Sequence, residues 1–168
     1  TDTLHCRFAA GVDADLLSGL SLRNGAGLTG WGGRNRRALL NGRPITASDT
    51  TDLDDASVLA DARLMEGPQW GEPWPEMRFE KRNAIAYRMA LVAAGAFDAA
   101  IALTPKWDWD VCAGALIAEE AGAKVSDHHG RPWRFNQPDP RQTSLICAAP
   151  GLHPLILRRT GPIPLAPR

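Results

Sequence analysis

Cysteine, tyrosine and net charge are all scarce in this sequence. Its three cysteines, Cys6, Cys112 and Cys147, lie far apart without C-x-x-C spacing. That excludes a disulfide scaffold or a cysteine zinc site and predicts free thiols in a reducing compartment. Nineteen basic side chains cancel nineteen acidic ones, so the whole chain has no electrostatic pull toward a nucleic acid polymer or an anionic membrane. No apolar run reaches the roughly 18 residues of a membrane span. Residues 1–10 lack the basic region and apolar stretch of a signal peptide. Repeats and low-complexity tracts are missing too. The expectation is a soluble, cytoplasmic protein with no membrane and no nucleic acid partner.

What is present suits one packed domain. The 168 residues are 44% hydrophobic and 23% charged, enough to bury roughly two thirds of the unfolded surface. Leu4, Cys6 and Phe8 alternate with polar neighbours, and residues 16–23 form a second β-favouring run, which predicts paired strands. A glycine-rich turn is expected at 25–33, and Asn41-Gly42 predicts a hairpin within 38–45. Residues 48–80 hold nine acidic residues against two arginines, so one short strand near 57–61 and then a solvated loop are expected. Helical spacing of Ile85, Met89, Val92 and Ala96 predicts a helix within 79–95. A buried strand at 97–103, a helix at 110–121, strands at 124–126 and 144–149 and a helix at 152–159 follow. Antiparallel strands followed by alternating elements indicate an α/β layered domain over residues 1–160. The proline-rich residues 161–168 read as a flexible tail.

Several motifs invite chemistry. Gly25 to Gly30 match G-x-G-x-x-G, but a dinucleotide site needs a helix after the loop, and an Asn-Gly hairpin follows instead. Arg34, Arg36, Arg37 and Arg43 offer an anion surface or a solvated loop. His128 and His129 are adjacent on a turn, where neighbours rarely share a metal; Asp13 and Asp15 read as turn formers. The richest stretch is Lys106-Trp107-Asp108-Trp109-Asp110-Val111-Cys112-Ala113-Gly114. Asp110 at a helix mouth has two readings: an N-cap on the Ala113 amide, or an oxygen donor to a hard cation such as Mg²⁺. Lys106 reads as a phosphate contact or a solvated lysine. Trp107 and Trp109 either flank a ring or pack in the core.

Trp109 to Gly114, followed by Glu120-Ala121-Gly122, resembles the W-D-x-A-A-G and E-A-G signature of the inositol monophosphatase superfamily of magnesium-dependent phosphatases. Residues 91–98 and 40–45 are similar to that superfamily's helix-to-strand segment and N-G-x-P-I hairpin, and Pro105-Lys106-Trp107 looks closer to its bacterial bisphosphate nucleotidase-like members. The resemblance implies an αβαβα sandwich of the sugar-phosphatase type and a Mg²⁺ cofactor held in part by Asp110 as catalytic metal ligand. It implies a small phosphorylated substrate, such as a phosphorylated metabolite or a 3′-phosphoadenosine-type nucleotide, contacted by Lys106 and Trp109, and it allows a homodimer. The superfamily's G-E-E and D-P-I-D-G-T metal motifs do not occur in these 168 residues. Asn83-Ala84 stands where a Gly-Ser or Gly-Thr is usual, and Leu103 where inositol phosphatases place a glutamate. The chain therefore looks like the C-terminal three-fifths of such an enzyme, lacking its N-terminal part and inactive alone. The other reading is a non-catalytic relative that binds an anion or a protein partner.

Overall fold

The computed structural model describes residues 36–165 continuously and, before them, the strand segments 14–15, 19–23 and 29–33; side chains are described from Ala38 onward. The first sheet is an antiparallel meander of β1 (Ala14–Asp15), β2 (Gly19–Arg23), β3 (Thr29–Gly33), β4 (Arg36–Leu40) and β5 (Arg43–Pro44). Asn41 and Gly42 turn the last hairpin at φ 51° and 79°, the left-handed pair that a two-residue turn matched to strand twist requires. The expected glycine-rich turn is in part a strand. β3 covers Thr29–Gly33, paired with β2 and β4, and residues 24–28 lie outside the described set. A strand after the glycines removes the dinucleotide reading. The strand expected at 3–9 also lies outside, as do Asp13 and Arg34.

The second sheet has the order β10-β12-β8-β6-β7. Its strands are β6 (Ser57–Leu59), β7 (Arg78–Glu80), β8 (Ala99–Ala102), β10 (Lys124–Ser126) and β12 (Leu145–Ala148), with parallel pairs at β7-β6-β8 and antiparallel pairs at β8-β12-β10. Its middle strands are buried on both faces and split by parity. Leu59, Ala100, Ala102, Leu145 and Cys147 join one core cluster, while Val58, Ala99, Ile101, Ile146 and Ala148 join the other. A period of two between two apolar layers explains their unbroken hydrophobic runs.

The first cluster packs against α2 (Ile85–Ala93) and α3 (Asp108–Glu120), the second against α4 (His153–Thr160) and the one-turn helix α1 (Ala62–Met65). Because α3 also contacts β2, β3 and β4, the layers run β, α, β, α. Four layers of the expected αβαβα sandwich are thus present among the described residues. A helix between two sheets must be narrow and apolar all round, and α3 buries Val111, Cys112, Ala113, Gly114, Ala115, Ile117 and Ala118. A Cβ on Gly114 would sit 3.0 Å from Met89 Sδ and 3.4 Å from Ala86 Cα, so the missing side chain brings the middle of α3 against the first half of α2.

Other boundaries moved. α2 begins at Ile85 rather than near Phe79, which lies in β7, and α3 begins two residues before Asp110. The acidic loop contains α1 and β7, and a short ribbon of β9 (Lys106–Trp107) and β11 (Arg141–Gln142) was not anticipated. Cys147 is a buried free thiol as expected, and Cys112 is buried on α3. In residues 161–165, Ile163 is 6% exposed and Leu165 packs on the second core cluster. No helix among the described residues is long and apolar enough to cross a membrane.

Candidate functional site

The N-terminus of α3 organises the site. Its N-cap is Trp107, not Asp110, and makes no side-chain cap bond. Asp108 and Asp110 both fall in the first turn, where the helix dipole favours negative charge, but they do different work. Asp108 is 6% exposed; its Oδ1 accepts the Gln142 Nε2 amide at 2.7 Å and its Oδ2 the Asn136 backbone N–H at 3.0 Å. Asp110 is exposed and accepts no hydrogen bond among the described residues, so the capping reading fails and its oxygens are free to meet a ligand.

Lys106 is the cation that feels the charge of Asp110. Lys106 is half-buried on β9, its ammonium donating to the Thr104 carbonyl at 2.8 Å and to the Pro105 carbonyl at 3.2 Å. Burial pushes the Lys106 ammonium below its ordinary value; the nearby Arg88 charge lowers it further, and Asp110 opposes both. Arg88 lies on α2 and donates through Nε to the Arg82 carbonyl at 2.6 Å. Burial lowers its guanidinium as well, against the charge of Asp61. Asp61 is itself held low by the Lys81 ammonium at 3.0 Å.

The start of α2 adds free amides. Ala84 is its N-cap, with no side-chain cap bond and φ 60°, ψ 113°, a backbone that alanine adopts only under strain. Among the described residues no side chain caps the first N–H groups of α2, which suits an anion. This is the position where the sequence shows Ala84 instead of a hydroxyl residue. Leu103, the other departure, is buried against the α4-side core and does not belong to this group.

Trp107 and Trp109 stack with centroids 4.7 Å apart and planes at 11°. They are 42% and 43% exposed, so the core-packing reading fails. The Arg141 guanidinium lies 5.6 Å from the Trp107 ring centroid, since the two residues face each other across the β9–β11 ribbon. The histidine pair is divided: His129 is exposed, whereas His128 is buried and pairs through Nδ1 with Ser144 Oγ at 2.8 Å. Among the described residues no three His, Cys, Asp or Glu side chains form a metal-binding group. Asp110 is a single oxygen donor with the Lys106 cation near it, so these residues do not by themselves fit a metal cluster. Arg36 and Arg37 lie on β4, where only the backbone is described, and Arg43 is exposed.

Solved structures share this architecture. An inositol monophosphatase from Anabaena (Nostoc) sp. PCC 7120 superposes with TM-score 0.67 at 22% identity, covering 88% of this chain and 60% of its own. Inositol monophosphatase II from Staphylococcus aureus gives TM-score 0.67 at 17% identity, covering 82% and 53%. The same Staphylococcus aureus protein with inositol monophosphate bound gives TM-score 0.65 at 16% identity over 79% and 52%, and with 2′-AMP bound 0.64 at 18% over 82% and 53%. The chain thus spans between half and three-fifths of the length of these structures. No curated protein matches the sequence. The inositol monophosphatase family model matches residues 26–163, most of the chain and all of the site just described, and the protein belongs to that family.

Proposed function

We propose that this chain carries the α2/α3 half of a phosphatase site acting on small phosphorylated substrates. The carrying observation is the division of labour between Asp108 and Asp110: the first takes the structural bonds, and the second, unbonded among the described residues, lies beside Lys106. In this reading Lys106 and Arg88 draw in the substrate phosphate, and the free amides of α2 accept its oxygens. Positive groups held in place before the reaction stabilise charge without reorganisation. Trp109 offers a flat wall to the remainder of the substrate. Lys106, lowered by burial, stays a hydrogen-bond donor and balances the phosphate charge.

Asp110 would supply one oxygen to a divalent cation, and a Mg²⁺ ion there would require donors beyond the described residues. The chain by itself is accordingly proposed to be inactive. Inositol phosphates and adenosine phosphates, 3′-phosphoadenosine-type nucleotides among them, are the substrate classes to compare, because the Staphylococcus aureus structures carry inositol monophosphate and 2′-AMP. The bisphosphate nucleotidase-like assignment rests on Pro105-Lys106-Trp107 alone. The test is phosphate release by the native full-length protein with each substrate class, with and without Mg²⁺, beside Asp110→Asn. The reading expects Mg²⁺-dependent release that the variant loses.

A second reading, anion binding without catalysis, is favoured by the neighbouring cations Lys106 and Arg88. It predicts phosphate-ester binding that falls steeply with salt and ignores Mg²⁺.

A further inference from the structure

A second cleft, of about 470 Å³, is lined by Asp127, Arg131, Trp133, Arg134, Arg141 and Gln142 among others. Three arginines face two aspartates in it, and both aspartates are engaged. Asp127 Oδ1 accepts the backbone N–H groups of His129 and Arg131, each at 2.8 Å. Asp139 is clasped by Arg141 through two bonds of 2.9 and 3.0 Å. Arg131 and Arg134 form no ion pair among the described residues, so with Arg141 spent on Asp139 the two remaining guanidinium forks outnumber the one remaining carboxylate, Asp127.

The cleft is also built to keep its shape. Trp133 Nε1 donates to the Ser144 carbonyl at 3.2 Å, fixing the indole as one wall. Gln142 Nε2 donates to the Arg134 carbonyl at 3.1 Å and to Asp108. Asn136, at φ 59°, sends its N–H to the other Asp108 oxygen. One buried carboxylate thus holds the middle and the end of the arginine-bearing loop. Burying that carboxylate is costly unless it is well bonded, and here its bonds position a loop whose outward groups are cationic. Guanidinium forks match the oxygens of a phosphate group, and the volume lies within the range of small-molecule pockets, roughly 300–1,000 Å³.

We infer that this cleft is a second anion site, separate from Asp110, which takes the phosphate group of a small molecule on Arg131 and Arg134 against the Trp133 wall. The loop's anchorage on Asp108 ties the site to the first turn of α3.

The test titrates the full chain with inorganic phosphate and, separately, with glycerol 3-phosphate, following the Trp133 indole N–H resonance by NMR. The expected result is a saturable shift, weakened about 10-fold by Arg131→Ala and by Arg134→Ala, partly restored by Arg131→Lys, and unchanged in Asp110→Asn. Both arginines are exposed, so these variants keep the fold, which far-UV circular dichroism verifies. Tighter binding of glycerol 3-phosphate assigns the site to esters, and tighter binding of phosphate to the free ion; either supports it. An unmoved indole resonance, or unchanged affinity in the double variant Arg131→Ala/Arg134→Ala, overturns the site. Loss of the shift in Lys106→Ala but not in the arginine variants overturns it too. Asp110→Asn fails to release phosphate under the proposed function whatever happens here, so the two ideas stand or fall separately.

Discussion

Gln142 donates to Asp108 across 34 positions of sequence at 2.7 Å, while Asp110, two residues further on, accepts no hydrogen bond among the described residues. Stability and function are therefore expected to separate at this helix start. Asp108→Ala leaves the Asn136 N–H without its acceptor and the Gln142 amide with only the Arg134 carbonyl, and should cost about 2–3 kcal/mol, while Asp110→Asn should stay within about 0.5 kcal/mol of the parent. Urea unfolding midpoints of the two variants check this. Equal losses would contradict the division.

Asp98 is the other buried-side anchor. Burial works to raise its carboxyl, but the Ser57 hydroxyl and N–H and the Ser48 and Thr50 hydroxyls donate to it, and the net shift is downward. A depressed carboxyl contributes stability above its unfolded value of 3.8 that is lost as pH falls below it. Asp98→Ala should cost about 3 kcal/mol, since four donors lose their acceptor, and should flatten the acid limb of the stability curve. Thermal melts between pH 3 and 5 read both effects.

Two histidines set a second pH dependence. His128 is lowered by burial and by His129, with Asp127 opposing, and His153 by burial and by Lys124. Where the folded value is lowered, the unfolded chain binds more protons below about 6.5, so stability is complete above that pH and declines beneath it. The unfolding midpoint should be lower at pH 5.5 than at pH 7.5. His128→Gln should reduce the difference; a pH-independent midpoint would refute the assignment.

Gly95 closes α2 at φ 68°, and a Cβ there would lie 2.9 Å from the Thr46 carbonyl oxygen. Gly95→Ala meets both a disfavoured backbone and a fixed obstacle, so a loss of about 1–3 kcal/mol is expected. Its denaturation curve against that of the parent measures it.

The elements visible from sequence were those with a strong local cause. The buried strands around Ile101 and Ile146 show as continuous apolar runs, and Asn41-Gly42 dictates its own turn. The β9–β11 ribbon was invisible because two residues per strand carry no period, and its register joins Trp107 to Arg141 only through tertiary structure. For the same reason Asp110 looked like a cap: nothing local reveals that Asp108, bonded from 28 and 34 residues away, starts the helix. The glycine-rich segment was misread because β3 owes its strand form to pairing on both sides, which overrides weak β propensity. Arg88, on the buried helix α2, carried no motif to mark it.

The central claim is that Asp110 is held free for chemistry. Phosphate release by the native full-length protein in the presence of Mg²⁺, compared with Asp110→Asn at equal folded concentration, tests it most directly. The account predicts a fall in kcat of about 100-fold or more with the unfolding midpoint unchanged. Undiminished release by the folded variant would contradict it.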